Sequence, residues 1–309
     1  MLSVWILIEL YSLCTVKVAI LPKNCITKGI MQIKRDFYLQ QLVDGKQNGL
    51  IKIVTGIRRC GKSFLLFKLF RQYLLDVGVD SNHIIQIALD DIENANLREP
   101  LSLYKCIKAK MTDEELYYIL LDEVQLVPRF EEILNSLLRI DNADVYVTGS
   151  NSKFLSSDII TEFRGRGDEI HLYPLSLSEY CEGTGLSPAE AWKDYYTYGG
   201  LPHTLSLGTE KKKIDYLNNL FESVYLIDIL ERQRIKNKAE FEDLVKIIAS
   251  GIGAPTNPTK LENTFKSVKK VNIDSVTISR YLGYMQDAFL IEKAERYDVK
   301  GKKYIGSLA

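Results

Sequence analysis

Residues 56–63 read Gly-Ile-Arg-Arg-Cys-Gly-Lys-Ser and fit the phosphate-binding pattern G-x-x-x-x-G-K-[ST], the P-loop. No other stretch restricts the fold as tightly. The pattern works between the end of a buried strand and the start of a helix. There its glycines let backbone N–H groups turn inward around phosphate oxygens, and the helix N-terminus adds partial positive charge. Both neighbours are in place. Ile51, Lys52, Ile53, Val54 and Thr55 read as a strand, and Leu65, Leu66, Leu69 and Tyr73 share one face of a following helix. Gly56, Ile57, Arg58, Arg59, Cys60 and Gly61 are expected to wrap the phosphates of ATP. Lys62 is expected to reach the β- and γ-phosphates, and Ser63 to hold Mg²⁺.

The partner of such a loop is a carboxylate at the tip of a second apolar strand. Tyr118-Ile119-Leu120-Leu121-Asp122-Glu123 supplies one. Asp122 fits the metal-side carboxylate and Glu123 the residue that polarises attacking water. Two acids capping a strand are common by themselves; downstream of a P-loop, the catalytic assignment is preferred. A further strand ends in Thr148-Gly149-Ser150-Asn151. Ser150 or Asn151 is the candidate to orient water or touch the γ-phosphate, with Thr148 behind it, and a helix N-cap is the equal alternative. Arg166, in Phe163-Arg164-Gly165-Arg166-Gly167, is the candidate to stabilise phosphate charge, in cis or from a neighbouring subunit, against a solvated basic loop.

Strands at 51–55, 83–89, 117–121, 144–148 and 168–173 alternate with helices at 100–111, 129–140 and roughly 153–163. That alternation predicts an α/β core over residues 31–174, a parallel sheet with helices on both faces. Residues 175–235 read as a helical lid. Its long segment, 211–234, is expected to turn Ile214, Leu217, Phe221 and Val224 to one side. From residue 236 to 309 the order is helix, helix, helix, strand, strand, the outline of a winged helix-turn-helix. Its second helix is expected to carry Leu261, Phe265 and Val268 inward, and its third Ile278, Tyr281 or Leu282, and Met285. Thirteen Lys and Arg stand against nine Asp and Glu there. Arg280 on the third helix and Lys300, Lys302 and Lys303 at the wing make DNA the candidate partner, with a protein partner as the alternative.

The formal net charge is zero, so no global basic field points to nucleic acid. Five scattered cysteines without a C-x-x-C pair fit reduced thiols in the cytoplasm, and three isolated histidines show no ligand spacing. Residues 1–21 are strongly apolar, but Glu9 and Lys17 interrupt them and no basic n-region precedes them. A membrane anchor is not expected. Residues 1–30 are expected to be an upstream extension of the reading frame, with Met31 as the natural start.

Gly-Ile-Arg-Arg-Cys-Gly-Lys-Ser, Leu-Leu-Asp-Glu-Val-Gln, Val-Thr-Gly-Ser-Asn-Ser, Phe-Arg-Gly-Arg-Gly and Tyr-Gly-Gly-Leu-Pro occur in that order. In this the chain resembles the prokaryotic AAA+ superfamily ATPases whose C-terminal region ends in a restriction-endonuclease-like fold. The likeness covers residues 33 to about 305. It implies an AAA+ core, a lid, a winged helix and ATP hydrolysis. It also implies that the Ser150 region is the first sensor, that Arg166 is the family's arginine, and that homo-oligomers are a candidate assembly. The chain looks truncated relative to that family, since the nuclease-like region would follow Ala309; nuclease activity is not expected. The rival expectation is a nucleotide-gated DNA- or protein-binding switch with little turnover.

Overall fold

The computed structural model describes residues 33–149 and 165–294. They divide into two compact units, residues 34–175 with 287–289, and residues 176–286 with 33 and 290–294.

The first unit is built on five strands. They are β1 (Ile51–Thr55), β2 (Ile84–Ala88), β3 (Tyr117–Asp122), β4 (Ala143–Thr148) and β5 (Gly167–His171), in spatial order β2-β3-β4-β1-β5. Every pairing is parallel. All five C-terminal ends therefore lie along one edge, and the chain crosses from one side of β1 to the other between β4 and β5. Ligands in open parallel sheets bind at such a reversal. β1 and β3 are buried at every position, which suits strands covered on both faces; β3 reads as an apolar run up to Asp122, whereas β1 buries Lys52 and Thr55 as well.

The helices of this unit are α1 (Asp36–Asp44), α2 (residues 62–76), α3 (Pro100–Lys110) and α4 (Phe130–Leu137). Glu99 caps α3 by accepting from the Leu101 and Ser102 amides, with Pro100 in the first turn. Phe130, Ile133, Leu134 and Leu137 pack from α4 into a core with Ile51, Ile53, Ile119, Leu121 and Val147. Within α2, Leu65–Phe70 is π-helical, and Leu65, Leu66, Leu69, Phe70 and Leu74 are buried.

The second unit is helical: α5 (Leu177–Thr184), α6 (Pro188–Tyr198), α7 (residues 210–232), α8 (Lys238–Ser250), α9 (residues 258–269) and α10 (Ser275–Asp287). Capping boxes Ser176/Glu179 and Ser187/Glu190 start α5 and α6. Asn257 caps α9, and the Asp274 carboxylate accepts from the Thr277 amide in the first turn of α10. Residues 176–286 hold together as one unit that spans the expected lid and the C-terminal helices.

Two expected faces are corrected. In α7 the buried residues are Leu220, Tyr225, Leu226 and Ile229; of the expected four, Leu217, Phe221 and Val224 are half-buried and Ile214 is exposed. Phe221–Leu226 is π-helical, and its wider turn shifts the buried stripe off the 3.6-residue period. In α9, Leu261 and Phe265 are buried but Val268 is 70% exposed, inside another π-helical stretch, Phe265–Lys269. In α10, Ile278, Tyr281 and Met285 are buried as expected. Residues 290–294 form no strand, and the rest of the expected wing, Lys300, Lys302 and Lys303 included, lies outside the described residues. So do residues 1–32, Ser150, Asn151 and the helix expected at 153–163. Among the described residues no helix is long and apolar enough to cross a membrane.

Candidate nucleotide site

β1 delivers the chain to residue 56 at the C-terminal edge of the sheet, between β4 and β5. Gly56 has φ +136°, and a Cβ there would lie 2.2 Å from the Leu172 carbonyl oxygen, so only glycine fits. Gly61 follows at φ +107° and hands over to α2. Ile57 and Cys60 bury their side chains, leaving the intervening backbone to form the loop surface. Burial pushes the Cys60 thiol up, against the opposing fields of Lys62 and Arg35. Arg59 is exposed with φ +66° and Arg58 is half-buried.

The Lys62 amine sits inside the curl of the loop. It donates to the Gly56 carbonyl at 2.9 Å and the Ile57 carbonyl at 3.1 Å, and the residue is almost wholly buried. A buried ammonium encircled by backbone stands where the P-loop pattern places its lysine.

β4 separates β1 from β3, so Asp122 stands two strands from the P-loop strand, about 10 Å at the usual spacing. Thr148, at the tip of β4, fills the gap. Its hydroxyl donates to the Asp122 carboxylate and accepts from the Glu123 amide at 3.0 Å. Burial raises the Asp122 carboxyl above the usual range. The Thr148 hydrogen bond opposes that rise, the Ser63 hydroxyl also acts to hold the carboxyl down, and the charges of Glu123 and Asp90 add to the rise. A desolvated Asp122 carboxylate with the exposed Ser63 hydroxyl fits Mg²⁺, which takes one or two protein oxygens and fills its shell with water and phosphate. Among the described residues no group of three acid, histidine or cysteine side chains forms an all-protein cage.

Glu123 adopts the left-handed conformation, φ +53°, which turns the chain sharply after β3. Its carboxylate accepts from the Gln125 side chain. Arg166 is corrected in one respect. It is exposed at the N-terminal end of β5, where its guanidinium donates to Asn135 at 3.3 Å and its carbonyl accepts from the Ile51 amide at 2.8 Å. Parallel strands put that end at the edge opposite the P-loop, roughly 16 Å away over five residues. Arg166 therefore cannot serve the nucleotide site of its own chain.

Several residues reach this rim only through topology. Thr55, fully buried as the last residue of β1, donates to Glu169 at 2.7 Å and lies 3.0 Å from His171 Nδ1 on β5. With the hydroxyl proton given to the carboxylate, the imidazole donates its Nδ1 proton to the threonine oxygen. Burial, and then the charge of Lys62, pushes the His171 imidazole down to about 4, while burial pushes the Glu169 carboxyl up. Arg35, buried at the start of α1, donates to the Tyr173 carbonyl just past β5. Asp90, just past the tip of β2, adds negative field at Asp122, whereas the Asp91 carboxylate accepts from the Glu93 amide and caps the next turn.

An AAA domain model matches residues 48–181, and a model for a domain of unknown function, DUF8612, matches residues 189–307. An uncharacterised Haemophilus influenzae protein is 34% identical over 88% of this chain, which spans 69% of that protein. MJ1544 of Methanocaldococcus jannaschii is 27% identical over 90% of the chain, which spans 62% of it. Among solved structures, the Walker-type ATPase PABY2304 of Pyrococcus abyssi superposes with a TM-score of 0.60 at 16% identity, over 83% of this chain and 90% of that one. P-loop, acid pair, strand order and relatives agree: the chain belongs to the AAA-domain family of P-loop proteins, and its own residues 189–307 match DUF8612 behind that domain.

Proposed function

We propose that this protein binds ATP with Mg²⁺ and hydrolyses it. The observation that carries this is the Thr148 hydroxyl, which ties Asp122 and Glu123 to the strand next to the P-loop. In this proposal the backbone of residues 56–61 and the Lys62 ammonium hold the phosphates, and Ser63 and Asp122 are the residues that would hold the metal. Bound there, Mg²⁺ supplies charge neutralisation on the phosphate oxygens. Glu123 takes the proton of the attacking water, positioned by its left-handed turn. Ser150 is proposed to orient that water. Arg166 is proposed to act only on a neighbouring copy in a homo-oligomer, since its own site is out of reach. The effector end is the C-terminal helical unit, with DNA as its partner through Arg280 and, beyond the described residues, Lys300, Lys302 and Lys303.

The hydrogen bond from Gln125 onto the Glu123 carboxylate supports a second reading, a nucleotide-gated switch with little turnover. Glu123→Gln separates the two. For a hydrolase, ATP binding measured by calorimetry stays near wild type while phosphate release falls on the order of 10²–10⁴-fold. Equal phosphate release from both proteins would leave the switch.

A further inference from the structure

α10 presents a ridge between two hollows whose walls carry hydroxyls, amides and cations. A hollow of about 1070 Å³ lies between α9 and α10, lined by Lys260, Asn263, Thr264, Ser267, Ser279 and Arg280 among others, and no carboxylate lines it. A second, of about 440 Å³, lies between α10 and the segment after α7, with Arg234, Lys236, Asn272, Thr277, Tyr284 and again Arg280 on its walls. At about 100° per residue, Ser275, Val276 and Ser279 take one flank of the helix, Thr277 and Tyr284 the other, and Arg280 stands between them. Arg280 and Val276 are both exposed, Val276 at 74%.

The two carboxylates in the second hollow are engaged. Glu240 accepts from the Asn237 amide at 3.0 Å, and Asp274 caps the Thr277 amide at 2.6 Å. Three neighbouring lysines are paired: Lys238 with Glu242, Lys266 with Glu262, Lys269 with Asp243, while Lys246 and Lys270 stand outside both hollows. Arg234, Lys236, Lys260 and Arg280 form no ion pair among the described residues, and all four line the hollows. A purely apolar partner would not use the hydroxyls, amides and cations of these walls. Phosphate oxygens would, because they take hydrogen bonds from such groups and release counterions.

We propose that α10 enters the major groove of duplex DNA, its two flanking hollows taking the phosphates of the strands on either side. An α-helix with its side chains, about 10–12 Å across, matches the B-form groove of roughly 12 Å. The proposal names the surface for the partner half of the proposed function and does not depend on nucleotide binding.

The test is fluorescence anisotropy of the full chain with a labelled 30-base-pair DNA duplex between about 50 and 200 mM salt. Binding should weaken linearly on a log–log plot. Arg280→Ala, Lys260→Ala and Lys236→Ala should each lower the slope by about 1. Lys246→Ala, exposed on α8 outside both hollows, should leave it unchanged. A-form RNA has a major groove too narrow for the helix, so duplex RNA of the same length should bind more weakly. The proposal is overturned if the three slopes equal wild type, if Lys246→Ala lowers the slope as much, or if duplex RNA or polyglutamate competes as well as DNA. Calorimetry with ATP·Mg²⁺ on the same samples keeps the two halves apart. DNA binding with the expected slopes upholds the surface even where no nucleotide binds, and intact nucleotide binding without DNA binding removes it.

Discussion

Thr148 satisfies two groups at once, giving its proton to the Asp122 carboxylate and accepting the Glu123 amide. All three atoms sit where water is scarce, since Thr148 is fully buried and Asp122 nearly so. Thr148→Val keeps the shape and strands a carboxylate and an N–H. It should cost about 1–3 kcal/mol in urea unfolding and lower ATP turnover more than ATP affinity. An unchanged unfolding midpoint would show that another group replaces the hydroxyl. His171 makes a pH-dependent case. Its imidazole titrates near 4 in the folded protein and near 6.5 when unfolded. The unfolded chain therefore binds the extra proton between those values. The stability this neutral imidazole confers is complete above about pH 6.5 and erodes as the pH falls towards 4, by up to about 3 kcal/mol. Glu169 and Asp122, whose pKa values are raised, act in the opposite sense, so the effect is read as a difference. Wild type minus His171→Asn should lose stability on acidification through that window, followed by denaturant melts at several pH values.

At the scale of elements, the sheet is tied at both edges. At the edge away from the P-loop, Lys52 on β1 is fully buried against Asp144 on β4, and the Tyr146 hydroxyl donates to the same carboxylate at 2.9 Å. The Asp144 carboxylate also accepts the Gln47 amide at 3.0 Å, which holds the turn into β1. Burial lowers the Lys52 pKa, and the hydrogen bond and charge of Asp144 offset part of that. Asp144→Ala leaves the ammonium buried without its partner and should destabilise by about 3–5 kcal/mol, whereas Lys52→Met with Asp144→Leu should recover most of that. A double variant as unstable as the single one would locate the loss in the Tyr146 and Gln47 contacts. The helices show where pattern alone misleads. The 3.6-residue period anticipated the buried face of α10 but not of α7 or the end of α9, because π-helical stretches offset the stripe there. Nothing in the composition of Phe221–Leu226 announces a five-residue hydrogen-bond step; packing selects it.

At the scale of the whole molecule, two units share one chain, and only residues 34–175 with 287–289 contain the P-loop and acid pair. Ligand bound to the folded form alone stabilises it by mass action, roughly 3 kcal/mol at a hundredfold excess over Kd. Calorimetric scans with ATP·Mg²⁺ should move a transition upward. EDTA or Lys62→Ala should return it to its ligand-free position, and a shift that survives both would place the nucleotide elsewhere.

The P-loop, the acid pair and the five strands were legible in the chain because each is a local pattern: glycines at set offsets, apolar runs ending in carboxylates, helices between them. The side of the sheet on which a residue emerges is not local. Arg166 and His171 are five positions apart, yet opposite ends of β5 put one beyond reach of its own site and the other beside the P-loop. Thr55 and His171 are 116 positions apart and meet because β5 crosses over to pair with β1. Short-range sterics and periodicity decide which elements form; the order in which parallel strands are laid side by side decides which side chains share a rim, and with it which charges can act on a phosphate.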